Sequence, residues 1–108
     1  MSGGLEVDVS GGDAVVVSAT GEIDLLTAAG LGRVLRDLIA RRRPSAIGID
    51  LSGVSFIDST GIQVLVATRI DARAAGIPLR VVAASAPALR VLRLAGVDGA
   101  LGTSTMDS

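Results

Sequence analysis

Residues Asp50–Gly61 read DLSGVSFIDSTG, and the passage from strand to helix that they encode decides the fold. The stretch Ala46–Leu51 (AIGIDL) is short, apolar and rich in β-branched residues, the composition of a central strand. A loop is expected next, anchored by the apolar pair Phe56-Ile57, before the polar cluster Asp58-Ser59-Thr60-Gly61 opens a helix. From Gly61 to Ala75, Ile62, Leu65, Val66 and Ile70 recur at helical spacing and leave Arg69, Asp71 and Arg73 for water. Gly76 and then Pro78 supply the stop.

Working outward, Leu5–Val9 (LEVDV) alternates apolar and acidic residues, the period of a half-exposed strand. Gly11-Gly12-Asp13 supplies a turn, and Ala14–Ala19 (AVVVSA) reads as the hairpin partner, ended by Gly21. Thr27 stands where it can cap the next helix, whose apolar stripe is Leu31, Val34, Leu35, Leu38 and Ile39. Arg41-Arg42-Arg43 suits the negative end of that helix, and Pro44 stops it. Downstream, Leu79–Ala84 is a further strand and Pro87–Ala95 a short helix closed by Gly96. The order β-β-α-β-α-β-α predicts one α/β domain over residues 1–108, with its core at about 5–101. Its sheet is mixed, the βαβ units giving a parallel part beside an antiparallel hairpin, with helices packed against it.

Composition narrows the chemistry. Apolar residues form 49% of the 108, yet Phe56 is the sole aromatic, so the core is aliphatic. Ten Arg face eleven Asp and Glu for a net charge of −1, and Lys, His, Cys, Trp and Tyr are absent. Without Cys or His there is no thiol redox chemistry, no zinc finger and no Ser-His-Asp triad. Without Lys there is no Walker-type phosphate loop and no Schiff base. A balanced charge with almost no aromatic side chains argues against nucleic-acid binding. No apolar run approaches the roughly 18 residues of a membrane span. These features predict a soluble, cytoplasmic domain that needs no metal or cofactor, and they leave room only for an enzyme that works with Asp, Glu, Ser, Thr and Arg. A monomer or weak dimer is expected.

Two short motifs each carry two readings. Ser59 falls where helix N–H groups lack intrahelical partners, a place that favours an anion such as a phosphate. The plainer reading of DSTG is capping, and Thr60-x-x-Gln63 even fits a capping box. Gly21-Glu22-Ile23-Asp24 reads either as a surface turn or as an acidic rim that steers a basic partner. Gly61 is small either to leave a path to Ser59 or to pack the first helical turn on its strand.

Taken together and in order, GEID at 21–24, IDSTG at 57–61 and PALRVLRLAG at 87–96 resemble the STAS domain, specifically the stand-alone bacterial anti-sigma-factor antagonists. The likeness runs over essentially residues 5–101. It implies a protein that is not itself an enzyme but binds an anti-sigma factor, usually a serine protein kinase of the GHKL ATPase type, and so releases a sigma factor for transcription. The kinase phosphorylates the serine after Asp in D-S-[ST]-G, which detaches the antagonist, and a metal-dependent serine phosphatase resets it.

Carried onto this chain, the phosphoacceptor is Ser59, framed by Asp58, Thr60 and Gly61, with Asp24 as a neighbouring interface residue. Thr27, Ile62 and Val64 are added as candidate partner-binding positions; Val64, if it faces outward, supplies an apolar centre, while Ile62 is expected to be buried. Thr60 is a second hydroxyl beside the acceptor. The family's further carboxy-terminal helix has no clear counterpart in the polar LGTSTMDS at 101–108. An alternative within the fold is a scaffold of a stress-sensing complex or an accessory subunit of a transporter, with DSTG only a cap. A nucleotide-binding or phosphotransfer enzyme has little support, since no GxGxxG follows a strand.

Overall fold

The computed structural model describes residues 4–102; the question of a carboxy-terminal helix beyond Gly102 lies outside them. Eight elements follow one another: β1 (Leu5–Gly11), β2 (Ala14–Ile23), α1 (Ala28–Asp37) with a π-helical extension at Leu38–Arg42, β3 (Ala46–Ile57), α2 (Ser59–Ala74), β4 (Leu79–Ala84) and α3 (Ala86–Leu94). The predicted order of strands and helices is therefore observed. Strands lie side by side as β1-β2-β3-β4, β1 antiparallel to β2 and the other pairs parallel. Both parallel crossovers pass through a helix, and the right-handed rule puts α1 and α2 on one face of the sheet.

Alternation does the sorting. Val15, Val17 and Ala19 of β2, Ile47, Ile49 and Leu51 of β3, and Leu79 and Val81 of β4 are buried beneath the helices, together with Leu31, Leu35, Leu65 and Leu92. Glu6, Asp8, Val16 and Val82 point to the other, open face. There Gly48 keeps the strands flush, since a Cβ on it would stand 2.9 Å from Val82 Cγ1.

The two central strands run longer than the sequence indicates. β2 does not end at Gly21 but passes through it to Ile23, and β3 extends past Leu51 to Ile57 in place of the expected loop. Two register shifts, at Ser18/Thr20 and Gly21/Glu22, each place an additional β3 residue opposite β2. The buried residues of β3 consequently fall at Leu51, Val54 and Ile57, three apart rather than two. Gly21 adopts φ 119° at the bulge, where a side chain would collide with the Gly4 carbonyl. Only Ile57 of the expected anchoring pair is buried; Phe56 is 47% exposed because the bulge turns it to the open side.

Helix ends are set by hydrogen bonds that chain spacing does not announce. Arg43 takes a left-handed φ of 52°, and its N–H closes the π turn on Leu38 O. Arg42 donates to Gly11 O and so ties this end to the β1–β2 turn. Ser85 caps α3, accepting from Ala88 N and donating to Val54 O. No helix among the described residues is long and apolar enough to cross a membrane.

Candidate functional site

Parallel strands with helical crossovers bring strand carboxyl ends and helix amino ends to the same edge of the sheet. At this edge Ile23 pairs with Ile57, so the residues that follow them, Asp24 and Asp58, leave neighbouring strands together. Asp58 N–H donates to Ile23 O at 3.1 Å and fastens the two motifs to each other.

Asp58 is the N-cap of α2. Its Oδ1 accepts from Thr60 N at 2.9 Å and from Gly61 N at 3.2 Å. This corrects the capping-box reading, because Thr60 already lies inside the helix. It also corrects the expectation that free helix donors surround Ser59: two of them are consumed by a carboxylate next door. Ser59 is the first helical residue and exposed, and among the described residues its hydroxyl has no hydrogen-bond partner. Thr60 is half-buried.

A parallel device holds the GEID segment. Asp24 Oδ1 accepts from Leu26 N at 2.9 Å and Thr27 N at 3.1 Å. Thr27 does not cap α1 with its side chain as expected. Its hydroxyl instead points back, donating to Glu22 O at 2.7 Å and accepting from Asp24 N at 3.0 Å. Thr27 thus fixes the bend that carries Asp24 to the rim.

The neighbouring residues separate into rim and support. Gly61 is buried, and a Cβ there would meet Ile23 Cγ2 at 2.5 Å and Ile57 Cγ1 at 2.9 Å. Its smallness therefore serves close packing of the first turn on two strands, not a path to Ser59. Ile62 is buried as expected. Val64 is half-buried and directed at α1: a Cβ on Gly32 would stand 3.2 Å from Val64 Cγ1. It is thus no outward apolar centre. The outward apolar side chains next to Asp24 are instead Leu25 and Leu26, 73% and 81% exposed. Sequence reasoning missed them, although a signal existed, for both lie outside the Leu31–Ile39 stripe of α1 and directly follow the acidic pair.

Comparisons with known proteins agree with this architecture. The family model described as "Mlab, STAS domain" matches residues 5–103. The anti-sigma-F factor antagonist RsfB of Mycobacterium tuberculosis is 39% identical over 83 residues, a match covering 77% of this chain and 66%, just under two thirds, of that relative. The crystal structure of an anti-sigma factor antagonist from Mycobacterium paratuberculosis superposes with a TM-score of 0.78 at 34% identity, covering 90% of this chain and 82% of the other. Unphosphorylated SpoIIAA of Bacillus, at 15% identity and a TM-score of 0.72 over 88% of this chain and 83% of its own, shares the fold. The chain belongs to the STAS-domain family, and within it is similar to these anti-sigma-factor antagonists.

Proposed function

We propose that this chain binds an anti-sigma factor that is also a serine kinase of the GHKL type, and that phosphorylation of Ser59 ends the binding. A serine phosphatase restores it, and the released sigma factor directs transcription. The chain is then a cytoplasmic binding partner and kinase substrate, not a catalyst. The observation that carries this reading is the division of labour in DSTG: Asp58 does the capping, and the exposed Ser59 hydroxyl has no hydrogen-bond partner among the described residues. The scaffold alternative, in which the motif is only a cap, leaves that serine unexplained.

The partner face comprises Asp24, Thr27, Asp58, Ser59 and Thr60, supported from beneath by Gly61, Ile62 and Val64 and extended by Leu25 and Leu26. Magnitudes favour a switch at the interface over one within the fold. A phosphate adds about −1.5 to −2 charges at pH 7. Against a carboxylate about 6 Å away in water, each unit costs roughly 0.7 kcal/mol, which the domain tolerates. A charge left unpaired at a protein interface costs about 2–5 kcal/mol, or roughly 30-fold to several-thousand-fold in affinity.

The test is intact-mass spectrometry with site localisation after incubation with ATP and candidate anti-sigma kinases from the source organism. One added phosphate on Ser59, absent in Ser59→Ala, is expected. Binding without any phosphate would make the chain an adaptor, and modification of Thr60 alone would move the switch by one residue.

A further inference from the structure

At the opposite end of α2 from Ser59, about 20 Å away by helix rise, lies an open cavity of ≈ 470 Å³ that the proposed switch does not use. Three arginines line it from two elements, Arg69 and Arg73 from the last turns of α2 and Arg80 from the exposed side of β4. Arginine at a helix carboxyl end is ordinary, since it complements the helix dipole. Arg80 has no such reason to be there. Its stem lies over Gly102, where a Cβ would stand 3.1 Å from Arg80 Cβ and 3.5 Å from Cδ.

None of the three arginines has a hydrogen-bond or ion-pair partner among the described residues, and neither Asp71 nor Asp98 lines the cavity. Three like charges around one space, with no counter-ion among the described residues that line it, favour a ligand that brings several negative charges. The remaining wall is apolar, formed by Ile77, Pro78 and Leu79 with Ala100 opposite. Its volume is in the range of sites for one small organic molecule, roughly 300–1,000 Å³. No aromatic side chain is available to stack a nucleobase, for the single Phe56 belongs to the other end of β3.

We propose that this cavity binds an organic diphosphate, its charged head held by Arg69, Arg73 and Arg80 and its apolar body laid on Ile77–Leu79. The site is independent of the reading of Ser59 as a phosphoacceptor. A guanidinium fork accepts two phosphate oxygens at once, so three forks match the oxygen-rich head of a diphosphate better than a lone carboxylate.

The experiment is a 1H–15N titration of the full chain with inorganic pyrophosphate and, separately, with isopentenyl diphosphate. Saturable shifts are expected at Gly76, Ile77, Leu79, Arg80 and Ala100, with the ester bound more tightly than pyrophosphate. Arg69→Gln and Arg80→Gln are each expected to weaken binding by about tenfold, with unchanged thermal midpoints because both side chains reach solvent. Arg41→Gln and Ser59→Ala should bind as wild type. Shifts distributed equally over Arg41–Arg43, equal affinity for the two probes, unaltered binding in the cavity variants, or no saturation below about 10 mM would each overturn the assignment.

Discussion

The backbone N–H of Asp58 donates to the carbonyl of Ile23 across neighbouring parallel strands, at 3.1 Å. Through this bond the residue that caps α2 also ties the start of that helix to the strand end that leads into Asp24. Strand pairing, helix start and the proposed partner face share one anchor point, so substitutions around it should separate into those that weaken the fold and those that affect recognition alone.

Asp58→Ala removes the acceptor of the Thr60 and Gly61 N–H groups and should cost about 0.5–2 kcal/mol in urea denaturation. Asp58→Asn keeps a side-chain oxygen in place and should recover most of that loss. Amide exchange in the first turn of α2 is the local check, and equal stability of wild type and Asp58→Ala would contradict the assigned cap.

Glycine replacements in the two helices should differ in sign. Gly61→Ala forces a methyl against Ile23 and Ile57. Overpacking costs of about 1–3 kcal/mol outweigh the gain of up to about 1 kcal/mol from replacing a helical glycine. Gly30→Ala meets nothing within 4 Å and should stabilise by about 0.5–1 kcal/mol. Thermal midpoints of the pair, measured side by side, decide the matter.

Thr27→Val keeps the shape but deletes the hydroxyl that bridges Glu22 O and Asp24 N. A loss of about 1–3 kcal/mol is expected from the groups left without that partner. NMR shifts should concentrate at residues 22–27; a global change in spectrum without them would argue against a local clasp.

Ser59→Asp places a charge at the first helical position, where the helix dipole favours it by about 0.3–1 kcal/mol and neighbouring Asp58 opposes it. Denaturation midpoints should hold within about 0.5 kcal/mol of wild type. Affinity for the anti-sigma partner should nevertheless fall by about 30-fold or more. A variant that unfolds would show that the switch works through stability instead.

Leu25→Ser and Leu26→Ser remove exposed apolar side chains that support no core packing. Stability should stay within about 0.5 kcal/mol, while each costs the partner complex more than about 1 kcal/mol if the pair lies at the centre of the interface. Calorimetric titration against the same partner reads the difference, and full affinity in both would remove the leucines from the interface.

Element types and their order were fixed by local pattern: the valine run of β2, the Leu31–Ile39 stripe and the glycine and proline stops each act over a few residues. The polar cluster that opens α2 was legible for the same reason, since capping chemistry is short-range. What only the tertiary structure decided is which atoms far apart in the chain meet. The bulges of β3 change its burial period from two residues to three, so the strand beyond Leu51 loses the alternation by which strands are read. Whether Asp58, Thr60 or Thr27 caps a helix depends on backbone torsions that composition leaves open among good capping residues. The arrival of Asp24 and Asp58 at one edge of the sheet, the exposure of Leu25 and Leu26, and the gathering of Arg69, Arg73 and Arg80 around one cavity are products of packing the whole chain.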